Sequence, residues 1–147
     1  NNKFKELDGE LHHGISRAGH SLRVAKNTYK ITKKLNLNYE KATRAALMHD
    51  FYTNKDLESK NSFEALSEHP SKALENARKY YNITSLEANI IESHMFPMGH
   101  KFPKYAESWI VSLVDKGVAF YEMYRYKLSL TLGIYIIFMF NMITIQR

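Results

Sequence analysis

The apolar residues of this chain recur at helical spacing, in segments separated by capping and turn residues. In residues 20–35, "HSLRVAKNTYKITKKL", they fall largely on a helical period, and "NLN" closes the segment. Asn38 is placed to cap the next helix, "YEKATRAALMHD", with Glu40 in its first turn. Thr84 and Glu87 form a capping box for "TSLEANIIESHM". Because sustained strand-like alternation is weak throughout, the chain is predicted to be all-α.

The remaining segments extend this prediction to a helical bundle. Residues 51–68 are polar and irregular, which predicts a loop with a short helix near "SFEAL". His69 followed by Pro70 indicates an N-cap with proline at the first helical position, so a helix is predicted to begin there. "FPMGHKFP" is rich in turn residues, and "YAESWIVSLVDKGVAFYEMYR" is predicted to be a helix with a broad apolar face.

The C-terminal segment departs from this amphipathic pattern. Residues 128–145, "LSLTLGIYIIFMFNMITI", carry no charge, and Arg125 and Lys127 flank their start. This predicts a domain of residues 1–126 followed by an apolar helix in 127–147. That helix is expected to serve as an interface or core helix, with a homodimer as one possibility. The alternative is a membrane anchor, since 18 uncharged residues are at the lower limit for a span. A cytoplasmic location is predicted, with tail-anchoring at the cytoplasmic face as the alternative.

Composition restricts the chemistry that the chain can perform. A length of 147 residues predicts a single core, and the absence of cysteine excludes disulfides, thiolate metal sites and a cysteine nucleophile. Any metal must therefore be held by imidazole and carboxylate, which suits iron, manganese, zinc or magnesium. The net charge of +6 favours anionic ligands such as phosphate esters. The basic residues are scattered without an aromatic-basic stripe, which argues against nucleic-acid binding.

One aspartate indicates where such a site lies. Asp115 sits inside the apolar run "WIVSLVDKGVAF", and a carboxylate on a buried helical face costs several kcal/mol unless it is paired or bound to a cation. His49 and Asp50 are adjacent at a predicted helix end. Adjacent helical residues point about 100° apart, but at a helix end the backbone can bend enough for both side chains to converge. Asp115 therefore needs a partner, and His49 and Asp50 are a candidate pair of metal ligands.

Three further histidines lie at predicted helix ends: His20, His69 and His94. At a helix N-cap, the dipole would keep His69 neutral, the form that binds metal. Taken singly, each histidine is more often a structural group, and Asp115 alone could pair with a lysine or arginine. The joint pattern favours a metal centre. The residues expected to meet at one point are His20, His49, Asp50, His69, His94 and Asp115.

The segments that carry these residues resemble a known family. "GHSLRVAK", "RAALMHDF", "SEHPSKALENA", "IESHMFPMG" and "VSLVDK" occur in that order over residues 13–120 and are similar to the HD-domain superfamily of metal-dependent phosphohydrolases, notably small bacterial members. The resemblance implies an HD-like helical bundle. It implies one ion on His20, His49, Asp50 and Asp115, and a second ion where His69 and His94 are added. No "GYP" motif follows the His-Asp pair, which separates the chain from the cyclic-di-GMP phosphodiesterase branch.

The resemblance also implies a mechanism and a function. Asp50 would bridge two divalent ions, and a metal-bridged hydroxide would attack the phosphate. Lys55 is expected to contact the substrate phosphate in a catalytic role alongside Asp50, with Arg17 and Lys116 as further substrate-binding candidates. The predicted function is hydrolysis of a small phosphate ester of a nucleotide or cyclic nucleotide. The alternative is a non-catalytic, metal-bearing nucleotide sensor or binding module.

Overall fold

The prediction of an all-α fold is confirmed. The computed structural model describes residues 11–12, 15–57 and 62–145, with side chains over 16–57 and 64–137. Apart from two antiparallel strands of two residues each and a 3₁₀ turn at Asn54–Asp56, its regular structure is helical. The elements are β1 (Leu11–His12), β2 (Ile15–Ser16), α1 (Arg17–Lys34), α2 (Tyr39–Met48), α3 (Ser62–Tyr80), α4 (Ser85–Ser93) and α5 (Ala106–Ile145).

The predicted helix starts at Asn38 and Thr84 are confirmed. The Asn38 side chain accepts a hydrogen bond from the backbone N–H of Lys41 at 3.2 Å and caps α2. Thr84 and Glu87 form the capping box of α4, in which the Glu87 carboxylate accepts from the Thr84 backbone N–H at 2.8 Å. Such caps satisfy backbone donors that a helix leaves unpaired at its start, so local sequence fixes where these helices begin.

The prediction that a helix begins at His69-Pro70 is wrong. α3 begins at Ser62, and Pro70 lies inside it. Proline removes one backbone donor and disfavours a helical interior, but burial of Ala73 and Leu74 in the core favours continuation of the helix past it. His69 is therefore about two turns into α3, and the N-cap argument for its neutral state does not apply.

Helix α2 lies at the centre of the bundle and contacts each of the other four helices. Its buried residues include Ala42, Ala45 and Ala46, whose small side chains let neighbouring backbones approach closely. Around them the core is completed by larger side chains: Val24, Phe51, Leu74, Ile90, Ile91 and Val111. The C-terminal end of α2 therefore lies within the bundle.

The buried face of α1 differs from the apolar pattern that predicted the helix. Leu22, Ile31 and Leu35 are exposed, with 55%, 39% and 57% of their surface accessible. The buried face instead combines small or polar residues with the first candidate ligand: Arg17, Ala18, His20, Ser21, Val24, Ala25, Thr28 and Thr32. This face packs against α2, where bulky side chains would hold the two helices apart.

Helix α5 continues without a break across the boundary that was predicted between residues 126 and 127. Between residues 127 and 137, where its side chains are described, the large apolar ones lie outside the core: Leu128, Leu130, Leu132, Ile134, Tyr135, Ile136 and Ile137 are 46–69% exposed. Over the described residues, the structure contains no helix whose length and apolar character suffice for a membrane crossing.

Candidate metal centre

The six side chains expected to meet do so in the structure. They form a group that we call the His–Asp cluster: His20, His49, Asp50, His69, His94 and Asp115. α1, α3 and α5 each contribute one member, α2 is followed by the His49–Asp50 pair, and α4 is followed by His94. Every member is at most 8% exposed. Their donor atoms form three overlapping groups in which all atoms lie within 4.8 Å of one another.

The end of α2 brings His49 and Asp50 together. The helix ends at Met48, and His49 keeps helical dihedral angles of −59° and −33° as its C-cap. The chain then turns, and Nε2 of His49 lies 3.6 Å from Oδ2 of Asp50. Continued helix would have pointed the two side chains apart, so the helix end is what allows both to face one point.

Asp115 finds its partners within the cluster. Its Oδ1 lies 2.9 Å from Nε2 of His20 and 3.4 Å from Nε2 of His49. Burial alone would raise the pKa of Asp115, but the hydrogen bond with His20 and the close approach of His49 outweigh it and hold that pKa well below its usual range. The carboxylate is therefore ionised, as a metal ligand must be.

All four imidazoles present the same nitrogen to the cluster. Nδ1 of His49, His69 and His94 lies 2.7–3.0 Å from the backbone carbonyl oxygen three or four residues earlier, to which an Nδ1–H donates. Nδ1 of His20 instead lies 2.8 Å from a carboxylate oxygen of Glu122. When a ring carries its single proton on Nδ1, its Nε2 is left as the lone-pair donor that faces inward.

The histidines on the α3 and α4 side face Asp50. Nε2 of His69 and Nε2 of His94 each lie 3.6 Å from Oδ1 of Asp50, and 3.0 Å from one another. Two nitrogens bound to one ion at about 2.1 Å and at right angles would also be about 3.0 Å apart. This spacing therefore suits a shared cation.

Two buried atoms of the cluster lack a hydrogen-bond partner among the described residues. They are Nε2 of His49 and Oδ1 of Asp50. Leaving a buried polar atom unpaired costs about 1–3 kcal/mol, and a charged one costs more. Because both atoms are good donors to divalent ions, the residues present fit a bound metal.

Without metal, protonation is distributed unequally over the cluster. Burial lowers the pKa of His49, but the nearby Asp50 and Asp115 carboxylates outweigh it and raise that pKa to about 9. Burial and the charges of His49 and His69 lower the pKa of His94 to about 3, and burial also lowers that of His69. Burial also lowers the pKa of His20, but Asp115 and Glu122 outweigh it and raise that pKa. Protons on His49 and His20 therefore balance the carboxylates, while His69 and His94 stay neutral.

A cavity of about 220 Å³ opens onto the cluster. Five of the six members line it, and His49 does not. The other lining residues are mostly apolar: Tyr52, Leu66, Met95, Met98, Lys116 and Ala119. A small molecule could thus reach the cluster from one side, against largely apolar walls.

The three basic residues predicted to bind substrate lie in different environments. Lys116 lines the cavity, and its ammonium donates to the His94 carbonyl oxygen at 2.8 Å. Arg17 is buried, donates to the Tyr52 carbonyl oxygen at 2.8 Å, and lies 4.1 Å above the Tyr52 ring. Lys55 is exposed on the 3₁₀ turn and is not among the described residues that line the cavity.

Sequence reasoning missed Glu122. This carboxylate is 1% exposed and joins His20 to Arg23, whose Nη1 lies 2.7 Å from Oε1. Its spacing was a usable signal, because a residue seven positions after Asp115 lies about two turns further along the same helix face.

Comparison with known proteins agrees with this geometry. The family model described as HD domain matches residues 17–123, a range that includes the whole His–Asp cluster and Glu122. Searches of curated proteins and of solved structures found no significant match. The chain belongs to the HD-domain family, whose members are generally metal-dependent hydrolases.

Proposed function

We propose that this protein is a phosphohydrolase that uses two divalent ions to cleave a phosphate ester of a nucleotide or cyclic nucleotide. The observation that carries the proposal is the His–Asp cluster itself: four inward-facing Nε2 atoms and two ionised carboxylates, buried at the base of an open cavity. Structural metal sites are usually closed by protein donors, whereas a catalytic site keeps access for water and substrate.

The distances support a division of the cluster into two ion positions. His20, His49 and Asp115 would hold one ion, and His69 and His94 the other. Asp50 suits the shared position, because its Oδ2 faces His49 and its Oδ1 faces His69 and His94. Iron, manganese, zinc and magnesium all accept imidazole or carboxylate donors. When bound, such ions lower the pKa of a coordinated water and offset negative charge on the phosphoryl oxygens.

The protein side chains around the cavity would bind and orient the substrate. Lys116 supplies a positive charge at the cavity wall, where its hydrogen bonds to His94 and Ser112 fix the position of the ammonium. Arg17 would act by holding Tyr52, whose ring stacks on His69 with centroids 5.1 Å apart. Lys55, on the exposed turn, would reach only the outer part of a bound substrate.

The apolar walls support a compact substrate. Tyr52, Leu66, Met95 and Met98 surround the approach to the cluster. Such walls suit a non-phosphate group with an apolar face, as a nucleobase has, since removing that face from water contributes about 25 cal/mol per Å².

Metal content and turnover test the proposal together. Protein purified without chelator is analysed for bound metals and assayed with bis(p-nitrophenyl) phosphate and a panel of nucleotides and cyclic nucleotides. We expect two equivalents of divalent metal and hydrolysis of at least one ester. Asp50→Asn should lower both metal content and turnover, because it removes the shared ligand. Glu64→Gln is the matched control, since it changes an exposed carboxylate on α3.

The outcomes separate the two functions. Two equivalents of metal without cleavage of any ester would favour the non-catalytic nucleotide sensor. Failure of the wild-type protein to take up divalent metal would overturn both functions.

A further inference from the structure

The four imidazoles of the His–Asp cluster are not held in the same way. Three of them have Nδ1 against a backbone carbonyl oxygen from their own stretch of chain. His20 alone has Nδ1 against a carboxylate, 2.8 Å from Oε2 of Glu122 on α5. A carboxylate behind a ligating histidine fixes its tautomer and orientation and raises its basicity more than a neutral carbonyl does.

The surroundings of Glu122 hold its carboxylate in place. It is 1% exposed, and its second oxygen accepts from Nη1 of Arg23 at 2.7 Å. Arg23 therefore partners the oxygen that His20 does not use. The side chains of His20, Arg23 and Glu122 join α1 to α5 directly beside Asp115.

We propose that Glu122 is a positioning residue of the proposed metal centre, and that it strengthens ion binding selectively at the position formed by His20, His49 and Asp115. By accepting the Nδ1 proton of His20, Glu122 selects the neutral tautomer in which Nε2 binds metal, and it aims that nitrogen into the cluster. The His69–His94 position has no carboxylate behind its rings among the described contacts. Where His49 is unprotonated, the two ion positions therefore differ in affinity, and the one that Glu122 supports fills first. This inference rests on the metal binding in the proposed function and not on the identity of the substrate.

Titration of the full chain with Zn²⁺ alone tests this inference. Glu122→Gln keeps the size of the side chain but removes its charge, and its amide cannot accept from both His20 and Arg23. We expect the tighter of two Zn²⁺ steps to weaken about 10–100-fold, the range observed when such supporting partners are changed. The weaker step should stay within about threefold of the wild type by the same reasoning.

Glu64→Gln is the matched control. It makes the same change of charge at an exposed carboxylate on α3. We expect this variant to bind Zn²⁺ as the wild type does. If Glu122→Gln leaves both steps unchanged, or weakens both equally as a general loss of packing would, the inference is overturned.

A measurement on the wild type covers the case in which Glu122→Gln does not fold. Nitrogen-15 spectra of histidine-labelled, Zn²⁺-loaded protein report which ring nitrogen carries the proton. We expect Nδ1–H and a metal-bound Nε2 on His20, and a proton on Nε2 would overturn the inference. The proposed function fails separately: wild type that binds two Zn²⁺ ions with the expected asymmetry but cleaves no ester supports the role of Glu122 and contradicts the hydrolase.

Discussion

Protons and metal ions should compete for the same place in the His–Asp cluster. Nε2 of His49 lies 3.6 Å from Oδ2 of Asp50 and 3.4 Å from Oδ1 of Asp115. These carboxylates outweigh the effect of burial and raise the pKa of His49 to about 9 in the metal-free protein. At neutral pH a proton on Nε2 therefore occupies the position that a divalent ion would take.

The pKa of His49 sets how strongly protons weaken metal binding. Only an unprotonated imidazole nitrogen binds metal, so between pH 7 and 9 each ion bound beside His49 displaces at least about one proton, and His20, whose pKa is also raised, adds to this. Its Kd should fall at least about tenfold for each pH unit, or about 1.4 kcal/mol, and level off above pH 9. His69 and His94 add no protons over this range, because their lowered pKa values keep them neutral.

Competition against a chelator whose own pH dependence is known measures the effect, with Mn²⁺ as the ion. Calorimetry in buffers of different ionisation enthalpy counts the released protons independently. His49→Gln should bind Mn²⁺ more weakly at pH 9 and should lose most of the pH dependence. A wild-type Kd that changes by less than about twofold between pH 7 and 8.5 would refute the reasoning, because it would mean that His49 is already unprotonated.

Three further predictions concern the stability and assembly of the chain. In the metal-free protein, the lowered pKa of His94 contributes stability that is present above pH 6.5 and is lost as pH falls toward 3. The raised pKa of His49 contributes stability that is present below pH 6.5 and is lost as pH rises toward 9. Urea unfolding with EDTA should therefore show maximal stability near pH 6.5, and a steady rise or fall from pH 5 to 8.5 would contradict this. Glu87→Ala should lower the free energy of unfolding by about 2–4 kcal/mol while leaving metal affinity unchanged, because the fully buried carboxylate accepts two hydrogen bonds from Thr84, which close the α4 cap, and one from Arg44. A loss below about 1 kcal/mol in urea titrations would count against that cap. Ending the chain after Lys127 removes exposed apolar side chains that could form a dimer interface. Light scattering should therefore show a dimer for the full chain and a monomer for the shortened one. A monomeric full chain would rule out the predicted homodimer.

The helical class, several helix starts and the residue types of the His–Asp cluster could be predicted from the amino-acid sequence alone. Capping is local, since Asn38 and Thr84 satisfy donors within a few residues of themselves, and these starts could be predicted without tertiary structure. Asp115 was also informative alone, because an ionised carboxylate in an apolar run requires a partner wherever the chain goes. The resemblance to HD-domain proteins then assigned the cluster residues, in their order along the chain, to one metal centre.

Features that depend on packing between distant segments could be seen only in the folded protein. The course of α3 through Pro70 and the small-residue face of α1 both follow from burial against neighbouring helices, which outweighs local preference. The contact between Glu122 and His20 joins residues 102 positions apart, and no local pattern specifies that pairing. Local sequence fixes donors and caps within a helical turn. The positions of Nε2 and carboxylate oxygens relative to one another are set only once the other four described helices have packed around α2.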